Sequence, residues 1–203
     1  MRKIRLIYII LFAAVSMASA NAARSKGWNS HTCEYTNNQD YFHWNLDPDL
    51  LWELRQGNEV HTSFMAVSPY GLMVFVSITP LDSPLPLWKN FAEHHKITLN
   101  SLKALDNRMG SKTSLLKFER KKFAGTEAIL EITKMTIDDE VVSEISYGIT
   151  FHFHKDGKNW RVNLKCTENI WENCGGYEEL KHIFSTFGLN HNPNAYSPSN
   201  YSK

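Results

Sequence analysis

His152 and His154 are the side chains of this 203-residue chain whose types and spacing come nearest to a metal site. On a strand, residues i and i+2 point the same way, so two imidazoles could grip one divalent ion. Two features argue against it. Arg161 lies opposite His152 in the register derived below, and a guanidinium repels a cation. No third ligand stands at a motif position. The pair therefore reads as part of a polar outer sheet face, and no metal is assigned. His94-His95 falls mid-helix, where neighbours point about 100° apart and cannot share one ion; one belongs to a helix–sheet seam and the other is wet. Asp138-Asp139-Glu140 could hold calcium through oxygens, but the Asp-x-Asp-x-Asp-Gly spacing is missing and a plain turn is the simpler reading. Cys33 could be a nucleophile, yet nothing near it in sequence lowers a thiol pKa recognisably. Gly-x-Ser-x-Gly, His-Glu-x-x-His, a Walker loop and Gly-x-Gly-x-x-Gly are all absent. No catalytic residue and no cofactor is assigned.

These side chains need an element to position them, and the stretch from Glu144 to Cys166 supplies it. Ile145, Tyr147, Ile149, Phe151 and Phe153 alternate with polar residues. After Lys155-Asp156-Gly157-Lys158 the alternation resumes with Trp160, Val162, Leu164 and Cys166. Period-two alternation around Asp-Gly predicts a hairpin with a two-residue turn. That turn sets Lys155 against Lys158, Phe153 against Trp160, Phe151 against Val162, Ile149 against Leu164 and Tyr147 against Cys166. Every apolar residue meets an apolar partner, so turn and pattern agree on one register. Thr150, His152, His154, Arg161, Asn163 and Lys165 then share the polar face.

Around the hairpin, Tyr41, Phe42 and Trp44 suggest a short first strand. Asp47-Pro48 reads as N-cap and first helical residue, and Gly57 as a stop, which predicts a short helix from Pro48 to Gln56. His61–Val67 and Leu72–Thr79 read as strands joined by Ser68-Pro69-Tyr70-Gly71. The second is apolar on both faces for part of its length and belongs nearer a sheet centre. A proline-rich connection, Pro80 to Pro86, precedes a long helix from about Leu87 to Leu105, with Phe91, His94 or His95, Thr98, Leu102 and Leu105 on its stripe. Asp106 to Lys112 reads as a break. Leu115–Phe123 and Thr126–Ile137 form another hairpin around Ala124-Gly125, with Leu116, Phe118, Ala128, Leu130 and Ile132 inward. Beyond Lys134 the apolar phase changes, as a bulge would cause. Tyr177 to Phe187 carries Leu180, Ile183, Phe184 and Phe187 at helical spacing and predicts one closing helix capped by Gly188.

The ends bound the setting. Arg2, Lys3 and Arg5 precede the apolar run Leu6 to Val15 and two small-x-small sites ending at Ala20 and Ala22, the pattern of a secretory signal spanning residues 1–22. The run is short for a membrane span of about 20 residues. Residues 23–40 read as a flexible segment, 41–189 as a single α+β domain, and 190–203 as a disordered tail rich in Asn, Ser and Pro. The chain carries 22 Lys and Arg against 21 Asp and Glu; removing Arg2, Lys3 and Arg5 leaves it near −2. A near-neutral domain gives no electrostatic case for nucleic acid. The basic run Lys117 to Lys122 reads as a solvated strand edge whose charges discourage aggregation. An exported chain permits disulfides. With three cysteines the expected bridge is Cys166–Cys174, which would pin the following loop over the sheet end; a bridge using Cys33, or none, are the alternatives.

In its order of elements the chain resembles the PsbP-like fold, shared by the extrinsic PsbP subunit of photosystem II and exported bacterial DcrB-like proteins. The stretches that carry the resemblance are YFHWNLDPDLLWEL (Tyr41–Leu54), FMAVSPYGLMVFVSI (Phe64–Ile78), the helix from Leu87, FAGTEAILEI (Phe123–Ile132), the Asp156-Gly157 hairpin and LKHIFSTFG (Leu180–Gly188). The resemblance spans Tyr41 to Leu189 and is one of architecture. It implies an antiparallel sheet with packed helices and a family of mostly non-catalytic modules that bind other proteins. It carries no catalytic motif, so no residue roles come with it.

The fold expected is thus α+β: an antiparallel sheet of about six strands with a long middle helix and a C-terminal helix packed on it. The function expected is an exported, periplasmic or extracellular, non-enzymatic module. It has no integral membrane segment after signal cleavage, and it binds a protein partner through Thr150, His152, His154, Arg161, Asn163 and Lys165. A solvated face without a partner is the plainer alternative. A small metal-dependent or hydrolytic enzyme and a small-ligand carrier are the other two.

Overall fold

The computed structural model describes residues 27–37, 42–59, 62–80, 91–138 and 143–190. The signal-like segment, the connection 81–90, Asp139-Glu140 and the tail beyond Asn190 lie outside the described residues.

The hairpin at Asp156-Gly157 forms in the register its sequence dictates. β9 (Ser143–Lys155) and β10 (Lys158–Thr167) pair Phe153 with Trp160, Phe151 with Val162, Ile149 with Leu164 and Tyr147 with Cys166. Asp156 and Gly157 take φ of 50° and 71°, the left-handed conformations a tight two-residue turn demands. The Phe153 and Trp160 rings stack at 5.5 Å on one face.

This hairpin sits inside an antiparallel sheet of seven strands, one more than about six. The order is β4 (Glu53–Glu59), β5 (Thr62–Ser68), β6 (Leu72–Pro80), β10, β9, β8 (Thr126–Asp138) and β7 (Ser111–Phe123). β6 is third from one edge. Its Leu72, Val74, Val76 and Ile78 are buried and its Met73 and Phe75 half-buried, as its two-sided apolar pattern requires.

β4 replaces the helix expected over Pro48 to Gln56. Asp47 does cap, accepting the Asp49 N–H at 3.0 Å, and Pro48 follows at the first position. The turn runs only from Pro48 to Leu50 as 3-10 helix, because Leu51 takes φ 52°, ψ 49° and reverses the chain. The reversal buries Trp52, and Ser68 donates to the Leu50 carbonyl at 2.6 Å. Gly57 lies within the strand that follows.

A second, small sheet covers one face of the large one. It runs β1 (Trp28–Asn29), β2 (Glu34–Asn37), β3 (Phe42–Asn45) and β11 (Phe187–Leu189). Residues 27–37, expected to be loose, therefore carry structure, with Tyr35 and Asn37 buried. The filling is aromatic. Tyr35 stacks on Phe64 at 4.5 Å, Phe42 meets Trp160 edge-on at 5.8 Å, and Phe123 stacks on Phe151 and Phe187 at 4.2 and 5.3 Å. Trp44, fully buried, packs on Phe64, Phe184 and Phe187 and donates its indole N–H to the Ile183 carbonyl at 2.8 Å.

The closing segment differs from the single helix expected. It divides into α3 (Tyr177–Leu180) and α4 (His182–Ser185), and Phe187 leaves to pair with Trp44 in β11. Tyr177, Leu180, Ile183, Phe184 and Phe187 are all buried, so the helical spacing marks the inward side chains even though the helix itself is broken. Gly188 is a strand residue opposite His43. A Cβ there would lie 2.2 Å from the imidazole, so only glycine lets that ring pass.

On the other face lies α1 (Phe91–Met109), ended by Gly110. Phe118 points to this side, not into the sandwich, and meets Phe91 at 5.0 Å and His95 at 4.8 Å. Leu116, also expected inward, is 51% exposed, because β7 bulges between Leu115 and Lys117. β8 itself pairs with β9 without interruption from Ala128 to Asp138, so its changed apolar phase is no bulge of its own: Met135 and Ile137 lie on the opposite parity from Leu130 and Ile132. Asp106 to Met109, read as a break, continue the helix. Asp106 accepts from Ser111 Oγ at 2.8 Å, Thr113 Oγ1 at 2.6 Å and the Thr113 N–H at 2.8 Å, which ties the helix end to β7. Asp106→Ala should cost about 1 kcal/mol, the net value of such a hydrogen-bonded cap in contact with water. Chemical denaturation followed by circular dichroism checks this; an unchanged midpoint would show the cap to be idle.

Candidate functional site

The residue types that could do chemistry converge in the seam between α1 and the large sheet. β8 brings Glu131, β9 brings His152 and His154, β10 brings Arg161, and α1 brings His94. Alternation places Ile129 and Glu131 on the side of β8 away from Leu130, which faces the aromatic sandwich. Cross-strand pairing then sets Ile129 beside His152, and His152 beside Arg161.

His152 Nε2 lies 3.2 Å from Glu131 Oε2, both side chains 12% exposed. Burial holds the His152 imidazole below its ordinary range, against the pull of Glu131. Burial by itself would raise the Glu131 carboxyl, but the His152 hydrogen bond and the His152 and Arg161 charges hold it below the usual range. At neutral pH the contact is therefore a neutral imidazole donating its Nε2–H to a carboxylate. His94 meets His152 edge-on at 5.5 Å and stacks on Phe118 at 5.7 Å. Burial, then the neighbouring His152, lowers His94 to about 4; Arg161 and His154 add to this, while Glu131 opposes it. His94 is thus the seam residue of the His94-His95 pair, and His95 is half-buried against the same Phe118.

The six residues expected on one open polar face separate in the structure. Thr150 and Asn163 are 6% and 5% exposed, and the Asn163 amide donates to Thr150 Oγ1. His152 is held by Glu131 under the helix. His154 and Lys165 are half-buried, burial lowering both. Arg161 is exposed. The face is therefore a partly covered layer, because α1 packs over β7 and reaches β9 through His94. Among the described residues no three His, Cys, Asp or Glu side chains are grouped to hold a metal. The Glu131–His152–His94 convergence is absent from the sequence reading. Its signals are Glu131 on the outer parity of β8 and a histidine on the helix stripe. Joining them needs the β8–β9 register, which the turn read at Asp138-Asp139-Glu140 does not fix to the residue.

Two surface depressions lie elsewhere. One, of about 310 Å³, is lined by Leu46, Pro48, Trp52 and Ile183 with Asp47 and His182 among its polar residues. The other, of about 490 Å³, is lined by Tyr147, Trp171, Tyr177 and Glu178 among others. Tyr147 and Trp171 stack at 4.4 Å and 3°, and Lys134 sits over the Tyr147 ring. Lys117 and Lys121 sit over Tyr177. Cys33, Cys166 and Cys174 are free thiols. Among the described residues no helix is long and apolar enough to cross a membrane.

No family model and no curated protein matches the sequence. Solved structures do match the fold. LpqN of Mycobacterium tuberculosis, described as involved in cell envelope biogenesis, aligns at TM-score 0.45 and 11% identity over 74% of this chain and 83% of its own. A crystal structure from Bacteroides thetaiotaomicron VPI-5482 aligns at TM-score 0.46 and 11% identity over 80% of this chain and 50% of its own. Cyanobacterial PsbP (CyanoP) from Synechocystis sp. PCC 6803 aligns at TM-score 0.57 and 11% identity, over 84% of this chain and 98% of its own. At that identity the likeness is one of backbone architecture, and this chain has a PsbP-like fold.

Proposed function

We propose that this chain is an exported, periplasmic or extracellular, non-enzymatic module that docks a protein partner on the α1-side face of its large sheet. The accessible part of that face is narrower than the sequence implied. Arg161 is its exposed charge, with Lys165 and His154 half-buried beside it. Along β5 and β6 the same face presents Met65, Val67, Met73 and Phe75, all half-buried. One observation carries the reading: an exposed arginine borders half-covered apolar side chains, while the more reactive groups nearby are enclosed and engaged with each other. Such a surface fits a partner patch that is apolar at its centre and acidic at its rim. The signal-like N-terminus supports export, and the fold is compatible with a module without chemistry of its own.

Site-specific photo-crosslinking in the producing cell tests this. A photoreactive residue at position 161 should give one discrete protein adduct that the same residue at exposed Glu179 does not. Arg161→Gln, with a reporter at position 165, should reduce that adduct severalfold. A ladder at 161 no stronger than at 179 would remove the proposal.

A further inference from the structure

Cys166 and Cys174 flank a short helix laid against the ends of two neighbouring strands. α2 (Glu168–Asn173) follows β10 directly and packs on β9 and β10. Its Ile170 and Trp171, with Cys174 at its C-cap, are the half-buried side chains that pack against the core. Ile170 and Cys174, four residues apart, lie on one side of the helix, and both pack against the core. Cys166 is the last inward residue of β10, 2% exposed, between Leu72 and Tyr147. Cys33 belongs elsewhere, in the turn between β1 and β2, where its carbonyl accepts the Leu46 N–H.

We propose that Cys166 and Cys174 are a native dithiol that closes to a disulfide and staples α2 across the ends of β9 and β10, leaving Cys33 reduced. Exposure sets the order of events. Cys174 is half-buried and reachable, whereas the Cys166 thiol is buried and pushed up to about 12, first by burial and then by its neighbour Cys174. Cys174 as thiolate attacks a disulfide oxidant such as oxidised glutathione. The oxidant's S–S bond breaks, a mixed disulfide forms at Cys174, and one glutathione leaves and takes up a proton. Cys166 then gives up its proton and attacks the Cys174 sulfur, expelling the second glutathione. Two thiols are oxidised and one disulfide reduced, and both protons end on glutathione.

The sequence makes the test clean, because trypsin cleaves after Lys165 and Lys181 and leaves both cysteines on one peptide, 166–181. The folded full chain is incubated with oxidised glutathione, denatured, alkylated and digested. Peptide 166–181 should be lighter than its reduced form by two hydrogens and carry no alkyl group, while Cys33 is alkylated. Oxidation should also raise the thermal midpoint of the wild-type chain but not of Cys174→Ser. Alkyl groups on both Cys166 and Cys174, or a crosslink to Cys33, would overturn the assignment.

Discussion

His152→Leu should destabilise the fold by about 3 kcal/mol at pH 7, the range for stranding a buried charge. The substitution removes the donor 3.2 Å from Glu131 and leaves its carboxylate largely buried under α1. Glu131→Leu added to His152→Leu should recover much of the loss, since an apolar pair of similar size leaves no charge to solvate. The pH dependence has a definite sign. The His94 and His152 values lie below their ordinary 6.5, so between 6.5 and the folded value the unfolded chain binds more protons. Their contribution is whole above 6.5 and is lost as pH falls, for His94 over the window from 6.5 to about 4. Glu131 is likewise depressed, and its contribution is present above 4.5 and lost as pH falls through its folded value. All three groups weaken the fold in acid. His152→Leu should therefore lose part of its penalty in acid, as the stranded carboxylate takes a proton, and His94→Phe should flatten the wild-type slope between 6.5 and about 4. Urea denaturation at stepped pH reads both. A double variant no more stable than the single, or an equal slope in His94→Phe, would show that the cluster is not coupled.

Trp44→Ala should cost about 4 kcal/mol, as expected for truncating a fully buried large aromatic side chain. Three ring contacts disappear, and the Ile183 carbonyl loses its indole donor. Trp44→Phe separates these terms. It keeps most of the packing but leaves the carbonyl unpaired, and should cost about 1–3 kcal/mol. Guanidinium unfolding checks both. If Trp44→Phe were as damaging as Trp44→Ala, the hydrogen bond rather than ring volume would be decisive.

Legibility in the sequence followed the range of the interaction. The Asp156-Gly157 hairpin could be read residue by residue, because turn chemistry and period-two alternation lie within a dozen positions of each other. The inward side chains of the closing segment were readable for the same reason, from Leu180 to Phe187. What the spacing could not show was competition with distant partners. β3 draws Phe187 out of a helix, and Leu51 turns to bury Trp52 and start an edge strand. Polar Glu53, Arg55 and Gln56 give that strand little periodic signal. The candidate site failed at the same link. Thr150 and Asn163 were placed on the correct face, but a face is open only where no helix lies on it, and the docking of α1 through Phe91, His94 and Phe118 is long-range.

The pairing of Phe42 with Leu189, and of His43 with Gly188, bridges nearly the whole described chain. A polypeptide emerging N-terminus first must present β3 long before its last partner exists. Until the final strand arrives, Trp44 lacks Phe184, Phe187 and the Ile183 carbonyl. Closure of the aromatic sandwich is consequently a late event, and a nascent chain cannot complete it until residues 187–189 have been released.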